Sequence, residues 1–319
     1  MADGAPSDRP DISHFAAVVT GAAGFLGAAL AERLAARGAR VIGIDHAAGV
    51  GPGAGERVRL DILDADALRA AFVGLLRNDA ASAVVIHLAA RGHVGACHDD
   101  PRGAVALNVV GTTNVLEACR EAGVRRIVFP SSALVYRLPA RSPIGEDAPV
   151  ASRSIYAASK LACEALLQAY AVEYGFSCTV ARLGNVYGRG AATDSVASIV
   201  MQQAIAGGPV VVETLAPIRD FIYRDDVVSG LMALVTSTEV PGFGVFNVSS
   251  GVPTSIRDLA ETACRVAGAS AKPMERSSSK GAARDNVVLS IERMTKHTGW
   301  TPTFSLEAGL RATLAESVG

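Results

Sequence analysis

The chain has 319 residues, 50% of them apolar and 19% charged, with a formal net charge of -1. That supplies a large core, and the near-neutral balance argues against a nucleic-acid or anionic-membrane partner held by bulk electrostatics. An anionic substrate would have to be held locally, by a few arginines and backbone amides. Residues 1–13, MADGAPSDRPDIS, are polar and Pro/Gly-rich and lack the basic start and apolar core of a signal peptide, so they read as a disordered tail. The longest charge-free stretch, 195–212, contains Gln202, Gln203 and the breaker Gly207-Gly208-Pro209. It reads as a buried helix followed by a strand, not as a membrane span. Cys97, Cys119, Cys163, Cys178 and Cys264 show no CxxC or paired spacing, which predicts buried free thiols in a reducing cytoplasm. The histidines form no metal-binding cluster, so no metal site is expected.

From Ala16 onward apolar, β-rich runs at 17–19, 41–44, 84–86 and 127–129 alternate with helical stretches at 28–37, 64–76 and 104–121. Continuous apolar strands separated by amphipathic helices predict an α/β fold, a doubly wound parallel sheet covered on both faces. After about Arg182 the rhythm becomes mixed, with loops at 188–195, 215–219 and 276–285. The expected organisation is a dinucleotide-binding domain over 14–182, to which later segments return, and a smaller mixed α/β substrate lobe over 183–319. Ser277-Ser278-Ser279 reads as a flexible loop.

The first strand leads through Gly21-Ala22-Ala23-Gly24-Phe25-Leu26-Gly27 into a helix. Glycines at these spacings permit a tight turn, close approach of a pyrophosphate to backbone, and packing of helix on strand; the helix amino terminus then offers N–H groups to the phosphates. The second strand ends at Asp45, where a carboxylate accepts both ribose hydroxyls and repels a 2′-phosphate, so the cofactor is read as NAD rather than NADP. Asp61-Ile62 follows the third strand, where a carboxylate suits the adenine amino group. Leu88-Ala89-Ala90 closes the fourth with residues small enough for a cofactor to lie against.

Tyr156 and Lys160 open a helical pattern that runs to about Tyr174, and their i, i+4 spacing puts phenol and ammonium on one face. A tyrosine near pKa ~10 is a poor base at neutral pH. A neighbouring ammonium and a cationic nicotinamide both favour the phenolate, so the sequence predicts a lowered pKa. Upstream, the fifth strand ends in Pro130-Ser131-Ser132. In this reading Tyr156 is the general base/acid, Lys160 tunes it and holds ribose, and Ser132 orients the substrate hydroxyl.

These elements together resemble the extended short-chain dehydrogenases, specifically the NAD-dependent sugar epimerase/dehydratase family. The matching stretches are TGAAGFLG, Asp45, DI, HLAA, NVVGTTNVLEA, SSALVY, YAASK, RLGNVYG, RDFIYRDDVV and FNVSSG, in the family's order along nearly the whole chain. The resemblance implies a Rossmann-type cofactor domain, a nucleotide-sugar lobe and a homodimer built through a four-helix bundle. It implies that Gly21, Gly24, Phe25, Leu26, Asn108 and Leu183 contact the cofactor, and that Asn185 and Arg219 meet the nucleotide diphosphate. A guanidinium suits that role through bidentate bonding; the alternative for Arg219 is an ion pair with Asp220 or Asp225. His93, in the loop after HLAA, is either a substrate-facing residue or a solvent-exposed loop histidine.

Departures from the family pattern narrow the chemistry. Dehydratases and sugar-acid decarboxylases carry acidic residues after the strand-five hydroxyl, but Ala133 and Leu134 stand here and cannot move protons. Arg137 replaces a usual glycine and Arg224 a usual valine. The late arginine-centred nucleotide grip is degenerate around 280–285, where Lys280 or Arg284 are the candidates. The leading expectation is therefore a cytoplasmic epimerase of a nucleotide-diphosphate sugar, at C4, through a transient keto-sugar. The alternatives are an NAD-dependent reductase or dehydrogenase of a keto-sugar or other small carbonyl compound, and a non-catalytic dinucleotide-binding regulator, a class that usually lacks the tyrosine or lysine.

Overall fold

Strand and helix alternate from Ala16 as the apolar pattern predicts, in a computed structural model that describes residues 12, 15–47, 55–138, 140–237, 242–276 and 286–318. The first half comprises β1 (Ala16–Thr20), α1 (Phe25–Ala36), β2 (Arg40–Asp45), β3 (Glu56–Arg59), α2 (Ala65–Leu75), β4 (Val84–His87), α3 (Val94–Asp99), α4 (Pro101–Val105), α5 (Gly111–Ala122), β5 (Arg126–Ser132), α6 (Ile155–Tyr174) and β6 (Ser177–Leu183). The second half comprises β7 (Asn185–Tyr187), α7 (Val196–Ile205), β8 (Val211–Val212), β9 (Ile218–Tyr223), α8 (Arg224–Thr236), β10 (Phe243–Val248), β11 (Pro253–Ser255), α9 (Ile256–Ala267), β12 (Met274–Glu275), α10 (Glu292–Thr298) and α11 (Leu306–Val318).

Seven parallel strands form one sheet in the order β10-β6-β5-β4-β1-β2-β3. The order reverses between β1 and β4, and an open sheet of this kind binds ligands in the crevice outside the carboxyl ends of its strands. The period of two along β1 sends Ala17 and Val19 to one face, against Leu30 and Leu34 of α1 and Leu231 of α8. Ala16 and Val18 go to the other, against Leu68 and Phe72 of α2 and Leu116 of α5. Both faces are covered, which is why the strands read as unbroken apolar runs. Ile12, at the end of the segment read as a tail, is 1% exposed and joins the first of these cores.

The remaining strands make two small sheets, one mixed (β11-β9-β7) and one parallel (β12-β8). A third core, including Val200, Phe221, Tyr223 and Leu259, lies among them, α7 and α9. The charge-free 195–212 stretch becomes α7, capped by the Ser195 hydroxyl on the Ser198 amide, followed by β8. Among the described residues no helix is long and apolar enough to cross a membrane. The 277–285 segment, with Lys280 and Arg284, lies outside the described residues.

One predicted element differs. The helix expected over 104–121 is divided into α4 and α5 by a π-helical turn, Ala106–Val110. Pro101 starts α4 beneath an Asp100 side-chain cap. The turn directs Asn108 inward, where it is 2% exposed. Its carbonyl receives the Thr112 hydroxyl and the Cys163 thiol, bonds that support the widened turn.

Candidate active site

A cleft of 1020 Å³ opens at the carboxyl ends of the strands, between the large sheet and the smaller ones. Gly21, Gly24, Phe25, Leu26, Leu88, Ala90 and Leu183 line it beside Ser132, Tyr156 and Lys160. Gly21 has φ +71°, and a Cβ there would stand 2.7 Å from the Ala89 amide; a Cβ on Gly27 would stand 2.0 Å from the Gly21 carbonyl. The turn therefore tolerates no side chain at either point. Gly24, the N-cap of α1, supplies no side-chain cap, and Phe25, Leu26 and Gly27 line the cleft, so the first amides of the helix are available to an anion. These features fit a dinucleotide pyrophosphate.

Asp45 stands at the end of β2, 8% exposed, and accepts the Ala23 amide (2.9 Å) and the Ala47 amide (3.0 Å). Its carboxylate is thus fixed beside the glycine turn, where a ribose diol would be met. Asp61 is exposed and accepts the Leu63 amide, while Ile62 is buried beneath Gly111 of α5. Ala89 and Asn108 stand behind the cleft wall. The Ala89 amide bonds Thr20, and Asn108 holds the Arg91 amide (2.7 Å) and the Ser159 hydroxyl (2.9 Å). Asn108 thereby ties the loop after β4 to α6.

Helix α6 starts where Ser154 caps the Ala157 amide and ends at Gly175 with φ 67°. That register presents Tyr156 and Lys160 to the end of β5. The phenol lines the same cleft as Ser132, and the Lys160 ammonium donates to the Pro130 carbonyl at 2.9 Å. Pro130 lies beyond the β4–β5 register, which ends at Val128, so it occupies the point where the sheet opens into the cleft. Burial pushes the Tyr156 phenol up to about 12, with the Ser132 hydrogen bond acting against it. The lowered value expected from the lysine is outweighed here by desolvation. Burial also lowers Lys160.

Behind these groups lie buried polar residues to which the sequence assigned no role. His87 is 1% exposed and spans Thr20 (2.7 Å) and Thr112 (3.0 Å) through its two ring nitrogens. Burial, reinforced by Lys160, lowers its pKa to about 3, so the ring is neutral. Glu164 and Arg182, each 7% exposed, form a buried ion pair (2.6 Å) behind Ser131. Glu164 continues the Tyr156–Lys160 spacing by another four residues, but nothing in its own segment announces a buried partner.

On the other wall stand Asn185 and Arg219. Asn185 donates to the Asp220 carbonyl (3.3 Å), and Arg219 donates to the Ile218 carbonyl (2.9 Å). The Asp220 side chain, 0% exposed, accepts amides of Ser250, Gly251 and Leu289, and Asp225 pairs with Arg224. Arg224 also pairs with Glu316, anchoring α11 and accounting for an arginine at that position. His93 lines the cleft and pairs with Asp194 at 3.1 Å. Arg153 lines the same cleft, a position the motif reading passed over because it lies before the helix pattern. Among the described residues no group of three or more His, Cys, Asp or Glu is arranged to hold a metal ion.

Comparison with known proteins agrees with this geometry. The model of the NAD dependent epimerase/dehydratase family matches residues 17–249. A UDP-glucose 4-epimerase of Mycolicibacterium smegmatis is 34% identical over 310 residues, covering 93% of this chain and 96% of the relative. A dTDP-L-rhamnose 4-epimerase of Burkholderia thailandensis is 31% identical, covering 92% of each chain. The crystal structure of a Thermus thermophilus UDP-glucose 4-epimerase in complex with NAD superposes with a TM-score of 0.83 at 29% identity, covering 96% of this chain and 99% of that one. With the glycine turn and the Ser132–Tyr156–Lys160 set in one cleft and the Asp45 carboxylate tied to that turn, the chain belongs to the NAD-dependent epimerase/dehydratase family.

Proposed function

We propose that the chain epimerises a nucleotide-diphosphate sugar at C4. The observation that carries this reading is that Ser132 and Tyr156 line one cleft with Lys160, with Ala133 and Leu134 next along the same wall. The site has a hydroxyl pair for moving one proton to and from a sugar hydroxyl, and no carboxylate beside Ser132 to drive elimination or decarboxylation. In the proposed cycle Ser132 orients the C4 hydroxyl and Tyr156 takes its proton. Bound NAD supplies the hydride acceptor, later the donor, and a positive ring charge that favours phenolate. The keto-sugar turns within the cleft, and Tyr156 returns the proton to the oxygen once the opposite face is presented.

Gly21, Gly24, Phe25, Leu26, Leu88, Ala90 and Leu183 are proposed to hold NAD directly, with Asp45 and Lys160 on the riboses, Asp61 and Ile62 at the adenine, and Ala89 and Asn108 behind the wall. Asn185 and Arg219 are proposed for the diphosphate, and His93 for the sugar side. The division into a cofactor domain over 14–182, with later segments returning, and a lobe mainly over 183–319 is supported by the way β10 rejoins the large sheet. A homodimer along α5 and α6 is supported by the exposed Val110 and Val172 at the flanks of these helices. Five buried free thiols suit a reducing cytoplasm.

The test incubates purified protein, without added cofactor, with uridine-, guanosine- and thymidine-diphosphate sugars and separates the products. Interconversion of a sugar pair without net NADH supports the epimerase. Turnover seen only when NAD or NADH is added with a keto-sugar replaces it with a reductase or dehydrogenase. Sedimentation of the same sample checks the dimer.

A further inference from the structure

Tyr156, Lys160 and Glu164 repeat every four residues along α6 and so lie on one face of the helix. The first two belong to the site already described; Glu164 is turned into the protein beneath it. Its carboxylate accepts the hydroxyl of Ser131, the residue next to Ser132, and both Nε (3.2 Å) and Nη2 (2.6 Å) of Arg182. Arg182 lies beside Leu183 on β6. Its remaining Nη1 donates to the Glu146 carbonyl (3.1 Å), and its guanidinium lies 4.8 Å from the centre of the Tyr136 ring. The Tyr136 hydroxyl donates to Asn247 on β10 (2.6 Å), whose amide donates to Glu146 (2.9 Å). One buried carboxylate therefore links the helix carrying the phenol and ammonium to the strand carrying the substrate-orienting hydroxyl and to the strand entering the opposite wall.

We infer that Glu164 is a positioning residue: through Ser131 and Arg182 it sets the register of α6 against β5 and β6, and so the place at which α6 presents Tyr156 and Lys160 to the cleft. A hydrogen-bonded carboxylate that is bidentate to arginine has little freedom to slide, so it transmits strand position to helix position.

The turnover readout rests on the epimerase reading; the cofactor readout does not. Glu164→Gln alone leaves a buried arginine uncompensated and is expected to fold poorly, whereas Glu164→Leu with Arg182→Met replaces the pair by apolar groups that a core tolerates. The folded double variant is expected to bind NADH about tenfold more weakly than the wild type, because the helix that presents Lys160 is no longer held in register. Its kcat is expected to fall about 10²-fold, with KM held within about twofold. A folded double variant with wild-type kcat and wild-type NADH affinity overturns the inference. Glu164→Asp, which keeps the charge and draws the carboxylate back by one methylene, repeats the kcat test if the double variant does not fold; an unchanged kcat there overturns it as well. If the wild type interconverts no sugar while the double variant still binds NADH more weakly, the epimerase reading fails and the positioning role of Glu164 stands.

Discussion

His93 Nδ1 stands 3.1 Å from Asp194 Oδ1, and this contact joins the loop behind β4 to the segment ahead of α7 across the cleft. Both side chains are substantially exposed, so the pair holds the two walls weakly; such pairs contribute about 0.2–1 kcal/mol. We predict that Asp194→Ala raises KM by no more than about fivefold and leaves kcat unchanged. Steady-state kinetics at low and high salt check this, and a large loss of kcat would put His93 in the chemistry instead.

The phenol is the group asked to carry the proton. Tyr156→Phe is predicted to lower turnover by about 10²–10⁴-fold, the usual contribution of a general acid–base group, while NAD remains bound. Product separation together with the cofactor content of the purified variant measures both. Near-wild-type activity would remove Tyr156 from the mechanism.

Asp45 is fixed by two backbone amides, so its carboxylate is preorganised for a ribose diol. Asp45→Ala is predicted to weaken NAD by about 1.5–3 kcal/mol, the range for hydrogen bonds to a charged group, and NADP much less. Titration calorimetry with both dinucleotides tests the difference. An unchanged preference would mean that selection lies elsewhere in the site.

His87 is neutral in the fold, with its pKa depressed to about 3 from the ordinary 6.5. Its stabilising contribution is present above about pH 6.5 and is lost as pH falls through the folded value, because the unfolded chain takes up the proton first. Over that window the slope is about 1.4 kcal/mol per pH unit for one proton. Chemical denaturation between pH 7 and 3 is predicted to show this slope in the wild type and a shallower one in His87→Gln.

Gly27 packs α1 on the glycine turn so closely that a methyl group there would meet the Gly21 carbonyl. Gly27→Ala is predicted to lower NAD affinity and thermal stability together, since the helix must back away from the turn. A variant with unaltered melting and cofactor binding would show that the turn yields without cost.

Much of the cofactor end was legible because its constraints are local. A glycine turn, an acid at a strand end and a YxxxK helix each declare themselves within a few residues, and the apolar strand runs follow from a sheet covered on both faces. The buried pair of Glu164 and Arg182 is a long-range fact: neither residue is unusual in its own segment, and only the adjacency of α6 and β6 gives it meaning. The π-helical turn at Ala106–Val110 was hidden for a similar reason. Its bonds to Thr112 and Cys163 depend partly on packing against α6, while its sequence is ordinary helix-forming material. His93 could not be judged until the fold brought Asp194 opposite it.

Strand β10 reaches the large sheet only after the chain has built much of the smaller sheets, and it pairs with β6 from Phe243 to Val248. No single cut in the sequence therefore separates the two halves. A fragment stopping before Phe243 would present β6 as a bare edge and lose Asn247, to which Tyr136 is tied. The two parts are consequently obliged to fold as one cooperative body. Expressing the cofactor half by itself would yield a sticky, unfinished sheet rather than a working dinucleotide-binding module.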